Sequence, residues 1–188
     1  EKCELHSIFL SQGDYPIKGL HYMLLALPRI LKKYPDAKDY VAGNSCVGDG
    51  SVIKTMKLSA YGRFLRGLIR KYHLEEHVCF LGRLNAEQMK RQYLKSNIFV
   101  CCSSIENSPN SLGEAMLLGV PCVSADVGGI SSIFTDGEDG ILYRAESDSL
   151  RDKADALGDA VIRIFREPQQ VQRYTQNARA HASVTHDP

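Results

Sequence analysis

Six short apolar runs recur along this chain, each ending at or near a small or polar residue. They are HSIFLSQ (6–12), DYVAGN (39–44), HVCFLG (77–82), NIFVCCS (97–103), PCVSAD (121–126) and GILY (140–143), all rich in β-branched or aromatic residues. Their apolar residues run on instead of alternating, so they read as strands covered on both faces, which predicts a parallel sheet. Between them lie stretches of helical character at 18–34, 60–73, 85–96 and 109–119. Alternation of strand and helix predicts a single α/β domain over residues 1–188, with a Rossmann-like, doubly wound parallel sheet of about six strands. Pro28 falls inside the first helix and is expected to kink it. From Asp148 to about Ala182 the pattern is helical with a break at Pro168, which predicts two closing helices. The polar, glycine-bearing stretch NSCVGDGSV (44–52) reads as the most mobile loop.

Composition narrows the partners. The 188 residues are 44% hydrophobic and 24% charged, enough to bury a core without help. A net charge of +1 supplies no field that would gather nucleic acid or a membrane surface, so the expected partner is a small molecule. No apolar run approaches the roughly 20 residues of a membrane span, and EKCELHSIFL lacks the build of a secretion signal. The six cysteines (Cys3, Cys46, Cys79, Cys101, Cys102, Cys122) contain no CxxC pair, and four lie within apolar runs. That is the usage of a reduced, cytoplasmic protein with neither disulfides nor a zinc site. His73 and His77 stand one helical turn apart, but an apolar strand starts at Val78, so the helix is expected to end between them.

In a doubly wound sheet, ligands bind at the carboxyl ends of the strands, and three of the loops there carry unusual residues. After the first strand comes SQGDYPIKGL, in which Gly13 and Pro16 shape a turn and Lys18 stands at the start of a helix. A lysine beside a helix N-terminus is electrostatically poor unless an anion joins them, so a phosphate fits there; an ordinary surface lysine fits as well. After the third strand, Gly82 and Arg83 precede Asn85, a good helix N-cap. Arg83 suits a phosphate contact or a base pocket and equally an ordinary exposed arginine. The third loop, SSIENSPNSLGEAML, puts Glu106 ahead of a helix that Ser108 and Pro109 are expected to cap and start. Asn110, Ser111 and Leu112 then offer first-turn N–H groups to a diphosphate. Glu114, on the second turn, is placed to accept two hydrogen bonds from a ribose diol. Electrostatic capping by Glu106 and plain solvation of Glu114 are the alternatives. Gly128 and Gly129 read as allowing the backbone close to a ligand.

Taken together, Ser103-Ser104-x-Glu106-x7-Glu114-Ala115-Met116-x-x-Gly119-x-Pro121, then Gly128-Gly129, Asp136-Gly137 and Gly140, resembles the nucleotide-sugar half of retaining glycosyltransferases of GT-B architecture, glycosyltransferase family 4 in particular. The resemblance runs from IFLSQGDYPIKGL to the closing helices. It implies a GT-B half-domain that binds a nucleotide diphosphate sugar, with Glu106 near the donor sugar, Glu114 on the ribose and Lys18 on the diphosphate, and with no metal required. The family usually carries an arginine in the loop after strand one; here Gln12 stands nearby, so diphosphate stabilisation would rest on Lys18 with help from Arg83. Such enzymes have two α/β domains, so the resemblance further implies that this chain is the carboxyl-terminal one. The amino-terminal domain would hold a glycan or lipid-linked acceptor, and surface polysaccharide synthesis is the implied setting. A sugar-nucleotide epimerase on the same fold and a non-catalytic nucleotide-binding module are the competing readings.

Overall fold

In the computed structural model, which describes residues 3–44 and 59–185, the apolar runs form β1 (Glu4–Leu10), β2 (Lys38–Ala42), β3 (Val78–Gly82), β4 (Ser96–Cys101), β5 (Cys122–Ala125) and β6 (Ile141–Tyr143). All neighbours pair in parallel, in the order β3-β2-β1-β4-β5-β6. The described helices are α1 (Leu20–Leu31), α2 (Ala60–Tyr72), α3 (Ala86–Lys95), α4 (Asn110–Leu117), α5 (Leu150–Arg166) and α6 (Pro168–Thr185). The doubly wound α/β reading holds. Most of the stretch expected to be a mobile loop, 45–52, lies outside the described residues.

Both faces of the sheet are buried, as the unbroken apolar runs require. Ile8, Leu10, Ile98 and Val100 point into one core with α1, α2 and α5; Phe9, Phe99 and Cys101 point into the other with α4. Helix α6 contributes Tyr174 to the first core and Ala178 and Ala182 to the second, so it joins the two. Local chemistry marks the helix starts. Ser59 accepts from the Gly62 amide at 3.0 Å, Ser149 from the Asp152 amide at 3.0 Å, and Asn85 forms a reciprocal capping box with Gln88. Helix α1 runs on through Pro28 to Leu31, and α2 stops at Tyr72, where His73 turns left-handed at φ 54°. His77 is used elsewhere, its Nδ1 lying 3.0 Å from the Ala37 carbonyl. No helix among the described residues is long and apolar enough to cross a membrane.

Candidate ligand site at the strand crossover

The order of the strands reverses between β1 and β4, so the loops leaving these two strands diverge and open a crevice at their carboxyl ends. Close packing then ties the two loops together at their bases. Pro16–Lys18 forms a 3-10 turn that ends on Gly19 at φ 78°. A Cβ there would stand 2.0 Å from the Cys102 carbonyl oxygen, so only glycine lets the β1–α1 loop lie this close to the end of β4. The Ser104 amide donates to the Ile17 carbonyl at 2.8 Å, and the Cys102 thiol donates to the Gly19 carbonyl at 3.3 Å.

This stitching brings Lys18 across to Glu106, with Nζ 2.5 Å from Oε1. Ser103, itself buried, donates its hydroxyl to the same oxygen at 2.8 Å. The Glu106 side chain is only 11% exposed, and Lys18 26%, so the pair is shielded but still opens onto a cavity of about 380 Å³. Its lining includes Gln12, Lys18, Glu106, Asn110, Ser111 and Glu114. The anion that a lysine needs beside a helix start is thus supplied within the chain. An ammonium has three N–H donors; Glu106 takes one, and the other two make no hydrogen bond to a described residue.

Helix α4 begins one residue later than its sequence suggests. Pro109, in extended conformation at φ -73° and ψ 106°, occupies the N-cap position expected for Ser108, and no side chain caps the helix. Asn110 and Ser111, the first two residues of α4, line the cavity, and their first-turn amides have no side-chain cap. Leu112 does not line it: its amide donates to the Pro109 carbonyl at 2.9 Å and its side chain is fully buried, so it serves the core. Glu114 follows on the second turn, exposed to the cavity, with Oε2 held 3.1 Å from the Tyr93 hydroxyl. Its Oε1 makes no hydrogen bond to a described residue.

Three other expected contacts fall outside this cavity. Gly13 is buried, donates its amide to the Ala42 carbonyl at 3.1 Å and packs on Val41. Gly82 turns the chain at the end of β3 with φ 72°, its carbonyl accepting from the Gly43 amide at 3.0 Å. Arg83 lines an adjacent cavity of about 310 Å³ and donates Nε to Asn44 Oδ1 at 2.7 Å. Asn44 in turn donates to Asp14 at 2.8 Å. Ser11 and Gln12 line both cavities, so Gln12 stands on the rim between Arg83 and Lys18. The glycine pair also does something other than expected. A Cβ on Gly128 would meet the Glu106 carbonyl at 1.8 Å, and one on Gly129 the Asn107 carbonyl at 2.3 Å. These glycines buttress the chain's own Glu106 loop, and the Gly129 amide donates to the Glu106 carbonyl at 3.0 Å.

Sequence reasoning overlooked Tyr93 and gave Ser103 no role, although Tyr93 touches Glu114 and Ser103 touches Glu106. Ser103 lies three residues before Glu106 and was within reach of a local reading; Tyr93 comes from a separate helix and carried no signal. Among the described residues no group of three His, Cys, Asp or Glu side chains is placed to hold a metal ion. The described cysteines are free thiols, with Cys101, Cys102 and Cys122 buried and their acidity suppressed by that burial.

Comparison with known proteins agrees with this fold. The pattern defining the family "Glycosyl transferases group 1" matches residues 6–181. A curated relative, the putative glycosyltransferase YtcC of Bacillus subtilis, is 29% identical over 171 residues, which is 90% of this chain and 39% of YtcC. Among solved structures, HepE of Anabaena in complex with UDP and glucose superposes with a TM-score of 0.77 at 22% identity, covering 96% of this chain and 44% of HepE. The carboxyl-terminal domain of the glycosyl transferase group 1 family protein LpcC from Francisella tularensis superposes with a TM-score of 0.73 at 19% identity, covering 98% of this chain and 86% of that domain. The fold is the GT-B half-domain, and the chain spans about two fifths of the length of the first curated relative.

Proposed function

Because this chain belongs to the glycosyl transferases group 1 family, we propose that it is the donor-binding, carboxyl-terminal domain of a retaining glycosyltransferase of family 4 type, moving a sugar from a nucleotide diphosphate sugar to a hydroxyl acceptor. One observation carries the reading: Lys18, Glu106, Glu114 and the first-turn residues Asn110 and Ser111 converge on one cavity at the strand crossover. Lys18, its charge shared with Glu106 but two of its N–H groups unused, joins the amides of Asn110 and Ser111 in donating to a diphosphate, and Glu114 accepts from the ribose. Glu106, fixed by Lys18 and Ser103, faces the place where the sugar would lie. UDP and glucose in HepE, a protein of the same fold, are consistent with this assignment.

The chemistry follows from charge. Breaking the sugar–phosphate bond leaves a negative diphosphate, and donors already aimed at it lower the barrier without a metal ion. Gln12 adds hydrogen bonds but no charge, so Lys18 carries most of the leaving-group stabilisation. The acceptor, a glycan or lipid-linked sugar in a surface polysaccharide route, is assigned to an amino-terminal domain. An epimerase is disfavoured because the described cavity lining contains no histidine to serve as acid or base beside the two carboxylates.

The test is transfer itself. The purified chain is incubated with radiolabelled nucleotide sugars and a panel of acceptor glycans, alone and fused behind the amino-terminal domain of a full-length relative. Transfer depends on holding donor and acceptor together in a water-poor cleft, and that effective molarity is lost when one wall is missing. The chain alone is expected to transfer nothing, and the fusion to transfer sugar. Transfer by the chain alone would place the acceptor site in this domain and overturn the reading.

A further inference from the structure

Tyr93 is 1% exposed, and its ring stands edge-on to Phe9 at 5.1 Å and tilted against Phe99 at 5.3 Å. Only the hydroxyl escapes this apolar shell. It lies 3.0 Å from the Ser111 carbonyl and 3.1 Å from Glu114 Oε2, so one buried phenol touches both the first turn of α4 and the exposed carboxylate on its second. A phenol has a single proton to donate. The Ser111 carbonyl, early in α4, already receives the helical bond from the residue four positions on. A carboxylate is the stronger acceptor, and a proton turned toward Ser111 would leave phenol lone pairs facing a carboxylate oxygen. The proton therefore belongs on the Glu114 bond.

We infer that Tyr93 is a positioning residue that locks Glu114 by one oxygen and leaves the other aimed at the ligand. The inference rests on the reading of Glu114 as the ribose acceptor. An exposed glutamate on a helix loses considerable rotamer freedom when it grips a ligand. Tyr93, immobile in its aromatic cluster, removes that freedom beforehand, so less is lost on binding. The consequence is selective: Tyr93 should matter for a ligand carrying ribose hydroxyls and not for one lacking them.

Tyr93→Phe removes the hydroxyl and keeps the ring that fills the core. Calorimetry measures the affinities of UDP, GDP and ADP, each beside its 2′,3′-dideoxy counterpart, for the unaltered chain, Tyr93→Phe and Glu114→Ala. The ratio of the two affinities does not depend on the fraction folded, so a destabilised variant still reports it. The unaltered chain is expected to prefer the ribo form about tenfold or more, the scale of hydrogen bonds to a charged group. Glu114→Ala should abolish the preference, and Tyr93→Phe should reduce it to a few-fold while leaving dideoxy affinity unchanged. An undiminished preference in Tyr93→Phe, whether or not both affinities fall together, overturns the positioning role alone. If the unaltered chain and Glu114→Ala show no preference, the ribose assignment fails and the role of Tyr93 fails with it.

Discussion

Asp39, in the middle of β2, is fully buried, and neither carboxyl oxygen finds a hydrogen-bond partner among the described residues. Desolvation pushes its pKa up to about 8, far above the ordinary aspartate value near 4. From about pH 4 to 8 the folded chain holds a proton that the unfolded chain has released, so stability falls as pH rises, by about 1.4 kcal/mol per unit from this group. Below that window both states are protonated and above it both are ionised, so the contribution is flat on either side. Asp39→Asn should remove this slope. Urea unfolding at pH 5 and pH 8 checks it: the unaltered chain should lose more stability between the two than the variant, and an equal loss in both would show that Asp39 is not buried as an acid. At this scale the sequence was legible where neighbours are local. Lys18, Glu106 and Glu114 could be picked out because loop position and helix spacing determine where they lie. Tyr93 and Asp39 could not, since what matters about each is set by strands and helices distant in the chain.

Gly128 belongs to an element whose part in the site comes entirely from packing. Its φ of 57° and the 1.8 Å approach of a Cβ to the Glu106 carbonyl mean that alanine would have to push the Glu106 loop away. Gly82 provides the contrast, with φ 72° and no atom within 4 Å of a built Cβ. Gly82→Ala should therefore cost only the left-handed backbone, roughly 1–2 kcal/mol. Gly128→Ala should cost more and displace Glu106. Melting temperatures measure this at roughly 2–4 °C per kcal/mol for a chain of this size. Equal melting temperatures for the two variants would remove the buttress. Sequence spacing located the helices because their apolar periodicity and caps, such as Asn85 with Gln88, are short-range. It misjudged the start of α4 by one residue because Pro109 can begin a first turn or stand just before it, and the packing of the β4–α4 loop selects the second. The same limit explains the glycine pair: sequence reveals that backbone comes close to something, but not that the something is Glu106 and Asn107 of the same chain.

The whole molecule is a sheet with one core on each face and a crevice where its strand order turns, and every proposed donor contact lies on a loop leaving this one sheet or on the first two turns of α4. That arrangement was the most legible part of the sequence, since two-sided apolar strands separated by amphipathic helices leave few packings other than a doubly wound one. Where Arg83 sits was less legible, because its place beside a neighbouring cavity depends on how β2 and β3 end together. A domain with its own core holds its ligand loops in place without a partner, so binding should persist in this chain by itself. The direct test is calorimetric titration of the chain, and of Lys18→Ala, with UDP, GDP and ADP and with the matching nucleosides. One diphosphate should bind saturably at a single site, and Lys18→Ala should weaken the diphosphate by roughly 1.5–3 kcal/mol, as for a lost hydrogen bond to a charged group, while barely altering the nucleoside. No binding of any diphosphate, or an equal loss for diphosphate and nucleoside, would contradict a diphosphate site built around Lys18.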